Sequence, residues 1–133
     1  MRLAKELATM ADCSRRQVGA LVTRGKFLVG HGINGAPQGE PGCLTEGACP
    51  RGRLSYAELA AGSGYDTGPG TCIAIHAEMN AIFDALRNSP GGIEGLSMTV
   101  TAEPCEACAR HIRRVGIVRV VTPSVLISMG LSL

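Results

Sequence analysis

From His76 onward the chain alternates helical and strand periodicity, and that alternation narrows the folds open to it. His76 to Asn88 carries Met79, Ile82, Phe83 and Leu86 as an apolar stripe at helical spacing, and the Ser89-Pro90-Gly91-Gly92 run stops it. Leu96 to Ala102 reads as a strand. Pro104 to Arg114 reads as a helix with proline in its first turn, ended at Gly116. Ile117 to Thr122 is another strand, and residues 123–133 leave room for one more short element. Strands separated by helices imply a sheet covered by helices.

The first half has a different texture. Residues 1–12 place Leu3, Leu7 and Met10 at helical spacing, with Lys5 and Glu6 on the other side. Gln17 to Thr23 and Phe27 to Ile33 read as two strands joined by a turn at Arg24-Gly25-Lys26, hence a hairpin. From there to residue 72 the chain is rich in Gly and Pro and carries Cys43, Cys49 and Cys72. A short helix is expected within it at Leu54 to Ala61, capped by Ser55. A stretch of that length does not stand unsupported inside a compact domain, so something is expected to hold it down. There is no internal repeat, and residues 1–133 are read as a single domain with a Gly/Cys-rich insert at about 35–72.

Composition removes several classes of function. With 133 residues, 45% of them hydrophobic, the chain is long enough to bury a core without disulfide staples. No apolar run approaches the roughly 18 residues of a membrane span, so no membrane partner is expected. The charged, amphipathic start lacks a secretory core, and a cytoplasmic protein is expected, in which cysteines serve more often as ligands or catalysts than as disulfides. The formal charge is +2, and aromatic residues make up only 3%. Both argue against a nucleic-acid partner and leave a small anionic ligand open.

The chemistry lies in two segments that each open a helix: His76-Ala77-Glu78, and Pro104-Cys105-Glu106-Ala107-Cys108. Cys105 and Cys108 share one helix face, and a helix N-terminus favours the thiolate form that binds metal. His76 supplies a third ligand. Three protein ligands leave one tetrahedral position open, which is the catalytic zinc pattern. Water bound there becomes acidic enough to act as a nucleophile. Glu78 is close to His76 in sequence and suited to shuttle protons. A lone Cys-x-x-Cys also fits a redox pair or a structural zinc site, and a histidine at a helix start often only caps or packs. Both segments together, with a strand between them, are the signature of zinc-dependent base deaminases.

On these and further segments the chain resembles the deoxycytidylate deaminase family, within the cytidine deaminase superfamily. The matching stretches are Cys13 to Ala20, Gly32 to Pro37, Cys72 with Ile75 to Ile82, Val100 to Ala109, and Gly116 to Val121. The resemblance implies an α/β fold of three layers, α/β/α, with a mixed, roughly five-stranded sheet. It implies hydrolytic deamination of dCMP to dUMP with release of ammonia, a nucleotide partner and a homo-oligomer. Asn34 matches a family residue that hydrogen-bonds the substrate sugar, although Asn34-Gly35 alone reads as a turn. Ala77 and Asn80 are candidates for the pocket, with the helix surface the other place for Asn80. Arg87 matches an arginine that some members use in nucleotide binding; by itself it is a solvated cation at a helix end. Arg15 and Arg16 are candidates for phosphate pairing, or members of a solvated turn. The chain departs from the family pattern at Ile33, where tyrosine is usual, in the long insert between Cys49 and Cys72, and in a tail poor in aromatic and acidic residues. The runner-up activity is deamination of another cytosine or purine-type nucleoside, nucleotide or secondary metabolite. A zinc module that only binds would not need Glu78.

Cys13, Cys43, Cys49 and Cys72 remain. Four is the number of ligands in a closed structural zinc site, and a metal would tie three separated segments together. Some bacterial and phage members similar to this chain carry a second zinc at these positions. The alternative is buried free thiols behaving as small hydrophobes. His31 and His111 fit no ligand pattern, and His111 with Arg110, Arg113 and Arg114 reads as a solvated or subunit-facing helix side.

Overall fold

In the turn between the first two strands, Gly25 has φ 60. That places the glycine first in a two-residue hairpin loop, where the twist of the flanking strands favours it. The hairpin joins β1 (Gly19–Arg24) to β2 (Phe27–Ile33), paired from Gly19↔Ile33 to Arg24↔Phe27 with an irregularity after Val22. The computed structural model describes residues 1–55, 57–59, 70–124 and 126–128. The remaining elements are α1 (Arg2–Ala8), α2 (Ala77–Asn88), β3 (Ser97–Val100), α3 (Glu106–Arg114), β4 (Arg119–Val121) and β5 (Leu126–Ser128). The five strands form one sheet in the order β2-β1-β3-β4-β5. Only β3 and β4 run parallel, because α3 is the crossover between them.

Small residues set the layers. Ala77, Ala81 and Ala85 recur every fourth residue along α2 and are wholly buried. Opposite them on β2 are Gly30 and Gly32, where an added Cβ would collide with the α2 backbone at Ala77, Ala81 and Ala85. A Cβ at Gly19 would meet the backbone of α1 at Ala4 and Ala8. Gly32 pairs with Ala20 and Gly19 with Ile33, so the two contacts lie on opposite faces of the sheet. Helix α1 therefore covers one face and α2 the other. Ile112 of α3 joins Ala77, Ala81, Ala85, Ile82, Met98, Val100, Ile117 and Val120 in the core on the α2 side. The result is the three-layer arrangement that the resemblance implied. Backbones in close contact also explain how so few aromatic residues suffice.

Several bounds differ from the sequence reading: β1, β3 and β4 are Gly19–Arg24, Ser97–Val100 and Arg119–Val121 rather than 17–23, 96–102 and 117–122. Helix α1 ends at Ala8, where the Thr9 hydroxyl donates to the Glu6 carbonyl at 2.6 Å and competes with a further turn. Helix α3 starts after Cys105, which is its N-cap, and not at Pro104. The apolar stripe of α2 packs only in part: Ile82 is buried and Met79 packs against the core, but Phe83 and Leu86 are 46% and 42% exposed. Alanines take the core positions because the glycines opposite leave no room for larger side chains. Within the insert, the Ser55 hydroxyl accepts from the Glu58 N–H and the Glu58 carboxylate accepts from the Ser55 N–H. That reciprocal pair has the form of a capping box, but the described residues of the helix expected at 54–61, namely 54, 55 and 57–59, form turns and bends rather than a helix, and 56, 60 and 61 lie outside the described residues.

Helix α2 also covers the outer edge of β2. Asn80 Nδ2 donates to the Ile33 carbonyl at 2.8 Å, Asp84 Oδ2 accepts the His31 N–H at 2.9 Å, and Asn88 Nδ2 donates to the Val29 carbonyl at 2.9 Å. Four helical residues rise about 6 Å and two strand residues about 6.7 Å, so the two ladders stay in step. The His31 ring meets the same carboxylate oxygen, Nδ1 to Oδ2 at 3.0 Å.

Candidate active site

Two helix N-caps meet at one point. Gly35 and Ile75 exchange backbone hydrogen bonds of 3.2 and 2.8 Å, which brings the segment before α2 against the end of β2. His76 then caps α2 in an extended conformation, and Cys105 caps α3 in another. The Cys105 sulfur accepts the Cys108 N–H at 3.4 Å, so one ligand-type atom serves as the cap of its own helix. His76 Nδ1 lies 3.6 Å from Cys105 Sγ and 3.4 Å from Cys108 Sγ.

These spacings fit a tetrahedral zinc ion. With Zn–S about 2.3 Å and Zn–N about 2.1 Å, the sulfur-to-nitrogen edge of a tetrahedron is about 3.6 Å. Among the described residues, His76, Cys105 and Cys108 are the one trio of potential ligands whose ligand atoms all lie within 4.8 Å. Glu78, buried, is placed with one carboxylate oxygen 3.9 Å from the Cys108 sulfur. Burial pushes the Cys108 thiol well above its ordinary value, and Glu78 and Cys105 push it the same way. Two thiols sit against one ring nitrogen, with the Glu78 carboxylate beside one of them, an arrangement whose negative charge a cation relieves.

A cavity opens beside this cluster, lined by Arg16, Val18, Asn34, His76, Ala77, Glu78, Ala102, Glu103 and Cys105. Of the substrate-contact candidates, Asn34, Ala77 and Arg16 are in its wall. The Asn34 amide clamps that wall, accepting the Val18 N–H at 2.8 Å and donating to the Arg16 carbonyl at 2.9 Å. Asn80, Arg15 and Arg87 are not in it. Asn80 is engaged with the edge of β2, and Arg87 is exposed on the last turn of α2. Arg15 faces a separate cavity with Ser14, Arg51, Gly52, Leu54 and Leu59. Glu103 was not singled out from the sequence, although it directly precedes Pro104 in the motif. Its carboxylate is held below its ordinary pKa, first by the Ser124 hydroxyl and then by Thr122.

The other four cysteines share one neighbourhood, less tightly drawn than the first trio. Burial raises the Cys43 thiol, and Cys49, Cys13 and Cys72 add to the rise through charge. Cys13 Sγ accepts the N–H groups of Arg15 and Arg16 at 3.4 and 3.5 Å, and Cys49 Sγ accepts that of Gly52 at 3.2 Å. Asp12 ties the Cys13 turn to the Cys43 turn by accepting the N–H groups of Leu44 and Thr45 at 2.9 and 2.8 Å. Arg51 Nη1 donates to the Gly70 carbonyl at 3.1 Å, which joins the Cys49 turn to the approach to Cys72. None of the six cysteines forms a disulfide.

A profile of the cytidine and deoxycytidylate deaminase zinc-binding region matches residues 1–124. The deoxycytidylate deaminase of Mycobacterium phage D29 is 43% identical over 121 residues, covering 91% of this chain and 88% of that protein. The deoxycytidylate deaminase of Schizosaccharomyces pombe is 34% identical over 121 residues, but only 34% of its length is covered. Among solved structures, the dCMP deaminase of cyanophage S-TIM5 in complex with dCMP and dUMP superposes with a TM-score of 0.63 at 28% identity, covering 91% of this chain and 75% of that one.

Proposed function

The chain belongs to the cytidine and deoxycytidylate deaminase zinc-binding family, and from that premise we propose that it hydrolyses dCMP to dUMP and ammonia. The observation that carries the reading is the His76, Cys105 and Cys108 cluster, at tetrahedral spacing, with a buried carboxylate beside it in an open cavity.

His76 Nδ1 and the sulfurs of Cys105 and Cys108 would hold the zinc ion. When bound, zinc supplies a Lewis acid that makes water a nucleophile at neutral pH. Glu78 takes a proton from the attacking water and passes protons to the ring nitrogen and then to the leaving amine. A C–O bond forms at the amine-bearing ring carbon, its C–N bond breaks, and ammonia leaves. The first N–H groups of α2 have no intrahelical acceptor, and at Ala77 and Glu78 they are available to the base carbonyl. The small Ala77 side chain leaves space for the ring. Asn34 holds Arg16 and Val18 in the wall, and Arg16 is the cation available to the phosphate. The test is a substrate panel on zinc-loaded protein, with ammonia release followed for cytosine, deoxycytidine, dCMP, CMP and dCTP. Turnover of dCMP but not deoxycytidine is expected; turnover elsewhere and none of dCMP would overturn the substrate.

A second, structural zinc on Cys13, Cys43, Cys49 and Cys72 is part of the same reading. It is supported by the N–H···S bonds at Cys13 and Cys49, the kind that orient thiolate ligands, and by the charge that Cys49, Cys13 and Cys72 bring to bear on the Cys43 thiol. Metal analysis of unchelated protein is expected to give two zinc ions per chain, and one would overturn it. Six free thiols favour a reducing, cytoplasmic setting. Self-association of the chain is supported by Phe83 and Leu86, which α2 leaves uncovered. Sedimentation at equilibrium tests it, and a monomer at micromolar concentration would refute it.

A further inference from the structure

We propose that Glu103 determines specificity by accepting a hydrogen bond from the sugar hydroxyl of the nucleotide. The inference rests on the dCMP reading above and adds a residue to it. Glu103 lines the same cavity as His76, Glu78 and Cys105, and its side chain is exposed. The carboxylate is oriented rather than free: Ser124 Oγ donates to Oε1, and the Thr122 side chain bonds the same group. An ionised carboxylate has about four lone-pair sites, so two hydroxyl donors leave capacity for a third partner.

The chemistry of the substrate selects that partner. A carboxylate only accepts hydrogen bonds, and it repels phosphate. Apart from an acidic phosphate proton, dCMP has two donor groups, the base amine and the 3′-hydroxyl. The amine must face Glu78 and the metal cluster for the reaction to proceed. The hydroxyl is what remains for Glu103. Arg16 is the cation in the lining, and charge draws a phosphate to it and repels it from Glu103. The two charges of opposite sign give the cavity a direction and a reason to prefer a nucleotide over a free base.

The structural alternative is a strut between the loop before α3 and the segment after β4. The experiment separates the two by deleting the hydroxyl from the substrate as well as the carboxylate from the protein. Wild type, Glu103→Ala and Glu103→Gln are compared on dCMP and on 2′,3′-dideoxycytidine monophosphate, with zinc content and melting temperature measured alongside. Loss of a charged hydrogen bond should lower kcat/KM for dCMP about 10- to 100-fold in Glu103→Ala, with the amide of Glu103→Gln restoring part of it. On the dideoxy substrate the wild type should already be slow, and Glu103→Ala should change little. An equal fall on both substrates overturns the proposal in favour of the strut. A wild type silent on dCMP while active on another base overturns the dCMP reading, and the proposal with it.

Discussion

The Glu78 carboxylate lies 3.9 Å from the sulfur of Cys108, and both side chains are buried. The carboxylate opposes ionisation of the thiol at that distance, and a cation ligated by the sulfur offsets the repulsion. Replacing Glu78 by Gln removes the proton carrier and keeps the shape. Turnover is expected to fall by about 10²- to 10⁴-fold, with zinc content per chain unchanged. Atomic absorption and an ammonia assay on the same preparation check this; full retention of rate would refute the mechanism.

The same pair gives zinc binding a pH dependence. The Cys108 thiol is raised by burial, then by Glu78 and Cys105, so it is protonated in the metal-free protein at neutral pH. Zinc binding must displace that proton. Affinity is therefore expected to rise with pH, with more competition from protons at pH 6 than at pH 8. Competition with a chromophoric chelator at several pH values measures it. An affinity that does not change with pH would contradict the assignment of Cys108 as a ligand.

Asp12 contributes to stability in an acid-sensitive way. Its carboxyl is held below the ordinary value of 3.8, first by the Thr45 N–H, then by the Leu44 N–H and the Thr45 hydroxyl. A depressed folded-state pKa stabilises above the unfolded value, and the contribution is lost as pH falls through the folded one. Wild type should exceed Asp12→Ala in urea midpoint above pH 4, and the gap should close on further acidification. A gap that does not change with pH would assign Asp12 a role independent of its charge.

Two glycines should respond to substitution with the same sign but very different size. Gly32→Ala drives a Cβ into the α2 backbone at Ala77 and Ala81, where nothing flexible can yield, and should cost about 3 kcal/mol or more. Gly25 meets nothing within 4 Å, but its φ is 60, so Gly25→Ala should cost only about 1 kcal/mol. Urea denaturation of the two variants gives the comparison.

Much of this molecule was legible from the chain because its signals were local. Phe27 to Ile33 has the bounds expected of it, and the trio of His76, Cys105 and Cys108 converges as the two helix-opening motifs implied. What was not legible depended on tertiary partners. Phe83 and Leu86 match a helical stripe, but only the glycines across the interface decide that alanines fill the core. Asn80 sits two residues past Glu78 and yet turns to the edge of a strand, a destination visible only once α2 and β2 are placed side by side. Glu103 looked like part of the spacing of a metal motif until the wall of the cavity was formed around it.

Asn80, Asp84 and Asn88 have a further effect. A bare outer strand can template the growth of a foreign or misfolded strand along it. Here the carbonyls of Val29 and Ile33 and the N–H of His31 are already engaged by side chains of a helix whose N-cap is His76. Recruiting β2 into a cross-β aggregate would mean peeling α2 away, and with it the histidine of the metal cluster. Resistance to fibril growth along this edge and integrity of the metal cluster are therefore coupled, and zinc occupancy should protect against aggregation through β2.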